Sequence, residues 1–196
     1  MDKLDLVARF EIYKQLPGED LLRLCKTSRK FKEVCNDRSH QFNNLWLQKI
    51  NEDFNINLPH VENAIDYYRR YFKFLTKHKL ESTDLTNIFQ TAIRNRDFEI
   101  VDVLLNYSPL VPTSDSLYIA VKNNDVEMTR LLMNDPRIAN SDLMLVFSLS
   151  MQKRYEIAKI LLENSPSVMQ LPQASAFLAQ VNRLIAERKG LQHRLN

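Results

Sequence analysis

Glycine is almost absent from this sequence, since the 196 residues include only Gly18 and Gly190. Glycine is the residue that most readily adopts a positive backbone φ, which the tight hairpin turns between strands require. We therefore expect almost none of the chain to need positive φ, and we predict an all-α protein. Two glycines also cannot form the loops that cradle phosphate groups in nucleotide-binding proteins.

Cysteine is equally scarce, with Cys25 and Cys35 as the only two residues of this type. Neither belongs to a Cys-x-x-Cys pair, and small secreted domains stabilised by disulfides usually carry more cysteines. We interpret both as buried, reduced thiols in a reducing compartment and predict a cytoplasmic protein. The first residues agree with this prediction, because they lack the apolar core of a signal peptide.

Long apolar runs and catalytic motifs are missing as well. No stretch of eighteen apolar residues occurs, so we expect no membrane-spanning helix and no membrane partner. No zinc-site spacing and no nucleophile-elbow motif is present. We therefore predict no metal, no cofactor, no catalytic residue and no enzymatic activity. The histidines stand apart from one another in the sequence: His40, His60, His78 and His193.

An excess of charge of one sign is also lacking, because the net charge is only +3. Basic residues gather between Arg69 and Lys79, where they alternate with aromatic residues as in some surfaces that bind nucleic acids or acidic lipids. The more common explanation is the solvated face of a packing helix. We keep binding to nucleic acid or to a membrane surface as an alternative, and we predict no nucleic-acid partner.

Apolar residues with helical spacing fill the N-terminal part of the chain. Leu21, Leu24 and Cys25 fall on one helical face, and a similar face follows at Phe31 to Cys35. An earlier amphipathic helix, from Leu4 to Gln15, carries Leu4, Val7, Ala8 and Ile12, with Leu6, Phe10 and Tyr13 beside them. A longer helix follows, with apolar residues at every third or fourth position: Val61, Ala64, Ile65, Tyr68, Tyr71, Phe72 and Leu75.

The second half of the chain repeats itself. Three similar segments align on Glu99, Glu127 and Glu156, and an apolar helical segment precedes each of them. A helix–turn–helix period near thirty residues is typical of stacked repeats, in which each unit covers the apolar face of its neighbour. The apolar side of residues 174–189 predicts a capping helix that closes the stack.

These repeats resemble ankyrin repeats. Their second helix keeps the family's Glu-Val-Val-x-Leu-Leu form, and Ala92 and Ala120 stand at an alanine position of the first helix. The family's Thr-Pro-Leu-His turn is missing, and its turn glycine is replaced by Arg96, Asn124 and Lys153. The combination is similar to the degenerate repeats of large DNA viruses and some intracellular bacteria. That resemblance implies a protein-binding surface in host cytoplasm or nucleus.

The first fifty or so residues resemble an F-box. The run from Pro17 through Asp20 to Leu24 matches the family's Pro-x-x-Asp-Leu-Leu-x-Leu form, whereas the opening Leu-Pro of the family is Leu4-Asp5 here. The resemblance implies docking on the Skp-family adaptor of a cullin-RING ubiquitin ligase. The residues it assigns to that docking are Leu4, Leu16, Pro17, Leu21, Leu22, Leu24, Cys25 and Phe31.

The two resemblances together predict an F-box-like domain at residues 1–57, a linking amphipathic helix at 58–80, and ankyrin-like repeats with a capping helix at 81–196. They imply a non-catalytic substrate-recognition adaptor of a ubiquitin ligase, whose repeats bind an unidentified target protein. An alternative is an ankyrin-like interaction module without a ligase link, whose N-terminal helices only cap the stack. By position on the concave face, we expect the target-binding residues to be Arg94, Asp115, Tyr118, Lys122 and Met151.

Overall fold

The computed structural model describes residues 3–27, 35, 39–139, 155–165, 169–170 and 174–192. Within these ranges every regular element is a helix and no strand occurs, which confirms the all-α prediction. The described helices are α1 (Lys3–Gln15), α2 (Gly18–Thr27), α3 (His40–Phe54), α4 (Ala64–His78), α5 (Leu85–Arg94), α6 (Phe98–Tyr107), α7 (Ser114–Lys122), α8 (Val126–Met133), α9 (Pro136–Ala139), α10 (Tyr155–Asn164) and α11 (Ala174–Gln192).

The chain forms two compact units. The first comprises Met1–Ile88 with Asn106–Pro109, and the second comprises Phe89–Leu105 with Leu110–Asn196. Helix α4, which the sequence predicts as a link, therefore lies in the same unit as the F-box-like segment.

Aromatic side chains of α3 build the core of the first unit. The Trp46 ring lies 5.1 Å from that of Tyr68, and the Phe54 ring lies 4.8 Å from the same tyrosine. Phe10 of α1 meets Phe42 edge-on at 5.5 Å. Aromatic pairs at such distances contribute about 0.5–1.5 kcal/mol beyond the area they bury. The rings therefore fasten both α1 and α4 to α3.

Helix α1 buries a different side from the one predicted. Phe10 and Tyr13 are buried, whereas Ala8 and Ile12 are exposed, Ile12 to 57%. Apolar residues occur on all sides of this short helix, so their spacing does not determine which side faces inward. The buried side is set by the contacts of Phe10 and Tyr13 with Phe42 of α3.

Helix α4 has the apolar side that its spacing predicts. Ala64, Ile65, Tyr68, Tyr71 and Leu75 are all buried. The structure differs from the prediction in the last two turns. Phe72, which the spacing predicts on the apolar side, is half-exposed, and Phe74 is buried instead.

The first two predicted repeats are helical hairpins with the same backbone hydrogen bonds. In the hairpin of α5 and α6, the N–H of Asp97 donates to the carbonyl oxygen of Ala92 over 2.9 Å. In the hairpin of α7 and α8, the N–H of Asp125 donates to that of Ala120 over 3.0 Å. Both the donor and the acceptor are shifted by 28 residues between the two hairpins, which confirms the period for these two repeats. Of the third predicted repeat, the structure describes the second helix, α10.

Left-handed backbone is common at the helix ends, contrary to the expectation drawn from the scarcity of glycine. Asn55 and Lys79 end α3 and α4 at φ values of 55° and 54°, and the hairpin turns hold Arg96 at 57° and Asn124 at 55°. A helix often ends in one left-handed residue, because that residue's N–H can then satisfy a carbonyl of the last turn. Glycine eases this conformation, but other residues adopt it at a modest energetic cost.

A proline-containing break follows α8, and Arg137 ties it to the preceding hairpin. The Arg137 guanidinium donates to the carbonyl oxygens of Leu105 over 2.8 Å and of Leu110 over 3.0 Å. It also pairs with Asp135 at 2.5 Å, which holds the pKa of that carboxyl below its usual range. This arginine therefore satisfies carbonyl groups near the end of α6.

The C-terminal part of the second unit continues the stack of helices. Helix α10 packs against both α8 and α11. On α11, Val181 is buried and Leu178, Leu184 and Ile185 are half-buried. This apolar side is the one that the sequence assigns to a capping helix.

Candidate functional site

Helix α2 is the central element of the predicted docking site. It begins at Gly18, directly after Pro17, and carries Glu19 and Asp20 in its first turn. Acidic side chains there favour a helix start, because the N-terminal end of a helix carries partial positive charge.

A carboxylate of α3 joins the start of α2 to α4. Asp53 Oδ2 accepts one hydrogen bond from the backbone N–H of Gly18 at 3.1 Å and another from the Tyr68 hydroxyl at 2.7 Å. A Cβ atom at position 18 would lie 2.4 Å from both Asp53 Oδ2 and the Tyr68 hydroxyl oxygen. Close approach therefore requires glycine at this position. Burial, followed by the hydrogen bond to Asp53, raises the pKa of Tyr68 far above its ordinary value.

A buried lysine joins α1 to α3. The Lys49 side chain is 4% exposed, and its ammonium donates to the carbonyl oxygen of Lys14 at 2.7 Å and to Glu52 Oε2 at 2.6 Å. The hydrogen bond from Lys49 lowers the pKa of Glu52. Because Lys14 lies in the last turn of α1, this contact fixes the end of that helix next to α2.

The two cysteines form a disulfide, which corrects the prediction of reduced thiols. Both residues are buried, as predicted, but Cys25 Sγ and Cys35 Sγ are bonded and the two Cα atoms lie 5.8 Å apart. That distance between the Cα atoms is within the usual range for a disulfide. A sequence separation of ten residues does not by itself reveal the pairing. Disulfides are rare in reducing compartments, so the predicted cytoplasmic location gains no support from the cysteines.

The predicted docking residues differ in their accessibility. Leu21, Leu22 and Cys25 are buried, with exposed fractions of 2%, 5% and 4%. Leu16 and Leu24 are half-exposed, and Pro17 is exposed. The side chain of Leu4 and the whole of Phe31 lie outside the described residues.

Residues 1–43 match the F-box domain family. The chain carries an F-box domain. No curated protein and no solved structure matches the chain. The F-box begins with α1 and ends in the first turn of α3. The match therefore confirms the F-box resemblance, while the ankyrin-like identity of the repeats and a viral origin stay predictions.

Among the described side chains of the F-box, Ile12 is a large exposed apolar residue that the predicted docking set omits. Ile12 is 57% exposed in the last turns of α1, and the half-exposed Leu16 follows directly after the end of that helix. Its exposed aliphatic side chain, close to the matched motif, identifies Ile12 as a candidate docking residue. The sequence pattern concealed Ile12 because it assigned this residue to the buried side of α1.

The predicted target-binding residues lie on the second unit. Arg94 and Lys122 are both exposed, and they occupy equivalent positions at the ends of α5 and α7. Asp115, Tyr118 and Lys122 follow each other at three- and four-residue spacing and therefore share one side of α7. Asp115 is exposed and Tyr118 is half-buried. Met151 lies outside the described residues.

Two histidines that are distant in the sequence come together in the first unit. The rings of His40 and His60 lie 5.2 Å apart, and both line an open pocket of about 290 Å³ with Asn43 and Glu62. In the described ranges, no group of three or more Cys, His, Asp or Glu side chains is arranged to hold a metal ion.

None of the described helices is both long enough and apolar enough to cross a bilayer.

Proposed function

We propose that this chain is a non-catalytic substrate-recognition adaptor of a Skp/cullin/F-box-type ubiquitin ligase. Its F-box would dock on a Skp-family adaptor, and its ankyrin-like repeats would bind a target protein. The observation that carries the proposal is the F-box at residues 1–43, followed along the chain by helical hairpins that repeat every 28 residues.

The accessible apolar atoms of the F-box are the proposed contact with the Skp-family adaptor. Ile12, Leu16 and Leu24 expose apolar surface among charged neighbours, including an ion pair of Glu11 with Lys14 at 2.9 Å. Apolar residues surrounded by charged ones are typical of a protein interface, with a dry centre and a polar rim. The predicted residues Leu16, Pro17 and Leu24 therefore keep a direct role, and Ile12 joins them.

The buried members of the predicted docking set have a supporting role in this proposal. Leu21 and Leu22 hold α2 in place from within the unit. Truncating either of them would leave a cavity, which destabilises a core by about 2–5 kcal/mol for a leucine. If a Leu21→Ala variant no longer bound the Skp-family adaptor, the loss could therefore result from unfolding of the F-box as well as from a lost contact with the adaptor.

The repeats offer a polar surface for the target protein. Arg94 and Lys122 present cations at equivalent positions, and Arg94 is held by a hydrogen bond to Gln90 at 3.2 Å. These cations would attract an acidic segment of a target. The chemistry of the remaining positions, including Asp115, Tyr118 and Met151, differs between units, so it does not define the target further.

Co-purification tests the proposal. We expect the purified full chain to retain a purified Skp-family adaptor at micromolar concentrations of both proteins, and to retain it equally when Arg94 and Lys122 are changed to glutamate. The same double variant should lose proteins captured from a cell extract by the wild-type chain. Absence of any complex between the folded wild-type chain and the Skp-family adaptor would overturn the ligase link.

The alternative of an interaction module without a ligase link is favoured by one observation. Leu21 and Leu22 both face the interior of the first unit, as expected if the N-terminal helices serve the stability of the chain. Leu24, which the alternative requires to be buried as well, is half-exposed. A folded chain that captures a target from an extract but no Skp-family adaptor would establish this alternative.

A further inference from the structure

An open cleft of about 400 Å³ lies in the first unit, at the start of α2 and the ends of α3 and α4. Its apolar part is formed by Phe54, Phe72 and Leu75, and the short segment at Leu80 to Ser82 completes its wall. A cleft of this size is within the range that holds a small ligand or a large side chain. None of the accessible F-box residues that we assign to adaptor docking lines it except Pro17.

The charges around this cleft favour a cation. The carboxylates of Glu19 and Asp53 both line it, against one ammonium, that of Lys79. The C-terminal ends of α3 and α4 also lie at its wall, and the C-terminal end of a helix carries partial negative charge. The opposing N-terminal end of α2 is already matched, because Gly18 donates its N–H to Asp53 Oδ2.

A half-exposed aromatic ring supplies a flat surface in the same cleft. The Phe72 ring stacks on that of Tyr68, with centroids 6.3 Å apart and an angle of 16° between the rings. Tyr68 is buried, so it holds the orientation of Phe72, and the accessible ring is that of Phe72. The face of an aromatic ring attracts a cation placed over it.

We propose that this cleft binds the side chain of an arginine on a partner polypeptide. A guanidinium is planar, so it stacks on an aromatic ring while its N–H groups donate to carboxylates beside it. A lysine ammonium fits less well, because it is a compact and strongly hydrated point charge without a flat face to stack on the ring. The methylene groups of the arginine would cover Leu75 and Phe54.

The contacts already present leave acceptors for this arginine. Asp53 uses Oδ2 for both of its described hydrogen bonds, from Gly18 and Tyr68, and Oδ1 remains available. Glu19 already pairs with the exposed guanidinium of Arg23 at 2.5 Å through Oε1. The incoming arginine would therefore use the other oxygen of Glu19. The proposal does not depend on docking of the F-box, and it can be tested with this chain alone.

The experiment titrates the full chain with N-acetyl-arginine amide and follows backbone amide signals by NMR. We expect saturable shifts confined to residues around the cleft, with a dissociation constant of about 1 mM, as suits one anchored side chain. The matched ligand is N-acetyl-citrulline amide, which has nearly the same shape without the charge. It should bind at least about tenfold more weakly.

Matched variants locate the site. Glu19→Gln and Phe72→Ala should each weaken binding of the arginine amide by about fivefold, since each removes one charge-assisted or cation–π contact. Glu11→Gln removes a similarly ion-paired glutamate on α1, and Tyr67→Ala removes a half-exposed ring of α4 that does not line the cleft. These two variants should bind as wild type does. Thermal melts identify any variant that has lost its fold.

The proposal is overturned if arginine and citrulline amides bind alike, or if no saturable shift appears up to about twenty times the expected dissociation constant. It is also overturned if the shifts map to residues away from the cleft. Equal weakening by Glu19→Gln and by Glu11→Gln, in folded proteins, would contradict it as well.

Discussion

Single polar residues that are buried or half-buried join the helices of the first unit. Asp53 accepts hydrogen bonds from two other helices, and Lys49 donates to the end of a third. A buried polar group that loses its partner costs about 1–3 kcal/mol, so each of these contacts acts as a constraint on helix position as well as a source of stability. Of these hydrogen-bonding groups, the Tyr68 hydroxyl is the simplest to test, because substitution by phenylalanine removes it and leaves the ring in place.

We predict that Tyr68→Phe lowers the free energy of unfolding by about 1–2 kcal/mol, because Asp53 then loses one donor. Tyr71→Phe is the matched control on the same helix. The Tyr71 hydroxyl is buried without a hydrogen-bond partner in the described part of the chain, so its removal should be neutral or stabilising. Urea unfolding at pH 7 measures both. Equal losses in the two variants would contradict the role given to Asp53.

The raised pKa of Tyr68 predicts that the free energy of unfolding falls at alkaline pH. Burial raises the pKa of Tyr68 in the folded state, so the neutral form is favoured there. Its contribution is then fully present below the unfolded pKa of about 10 and is lost as the pH rises above that value. Tyr68→Phe should therefore lose less stability than wild type between pH 8 and pH 11 in urea unfolding. A steeper loss in the variant would show that the sign is wrong.

Left-handed residues at helix ends offer a second residue-scale prediction. Lys79 is exposed at φ 54° and ends α4. Lys79→Gly should raise the free energy of unfolding by about 0.5–1 kcal/mol, because glycine adopts this conformation without steric cost. Lys77→Gly, two positions earlier within the helix, should lower it by about 1 kcal/mol. Thermal melts that shift in the same direction for both variants would contradict this explanation.

At the scale of helices and hairpins, Arg96 connects two successive repeats through ion pairs with Asp125 and, at 3.8 Å, with Glu127. Asp125 begins α8, where its Oδ1 accepts the N–H of Met128 at 3.1 Å. Its Oδ2 lies 2.7 Å from Arg96 Nε of the previous hairpin, and its Oδ1 also accepts a hydrogen bond from Arg96 Nη2 at 3.4 Å. The carboxylate side chain is 4% exposed, and the left-handed backbone of Arg96 belongs to the turn that faces it.

We predict that Asp125→Ala lowers the free energy of unfolding by about 2 kcal/mol, because it removes both a helix cap and the ion-pair partner of the exposed Arg96. Asp97 is the equivalent cap one repeat earlier, but its bond to the Ile100 N–H is longer, at 3.4 Å, and the residue is half-buried. Asp97→Ala should therefore cost less, about 1 kcal/mol. Chemical denaturation of the two variants gives the comparison, and a larger loss for Asp97→Ala would contradict it.

The disulfide of α2 gives a further prediction at this scale. We expect no free thiol in the unreduced protein when thiols are titrated in denaturant, and two after reduction. Reduction should lower the free energy of unfolding by about 2–3 kcal/mol, as closure of a loop this short would provide. Two free thiols in protein purified without reductant would show that the original prediction of reduced cysteines was right.

The periodicity of apolar residues predicts where helices lie better than it predicts which residues of different helices are in contact. The spacing of apolar residues predicts α2 and α4, and the 28-residue offset predicts which residues of two hairpins are equivalent, because both signals are local. The buried side of α1 was not predictable, since it depends on Phe42 from another helix. The arginine cleft was not predictable either, because Glu19, Asp53 and Phe72 come from three helices that only the fold brings together.

At the scale of the whole molecule, the sequence places an F-box in one compact unit and most of the helical hairpins in the other. This division suits the proposed adaptor, which would bind a Skp-family adaptor and a target protein at once. The proposed function depends above all on the interaction between the F-box and a Skp-family adaptor.

Calorimetric titration of a purified Skp-family adaptor with the full chain tests this claim most directly. We predict micromolar or tighter binding by wild type, weakened at least about tenfold by Ile12→Glu, because a charge would then have to be buried at the interface. Gln41→Glu adds the same charge at an exposed polar position of the F-box and should bind as wild type does. No measurable binding by folded wild-type chain, or equal binding by wild type and Ile12→Glu, would contradict the account.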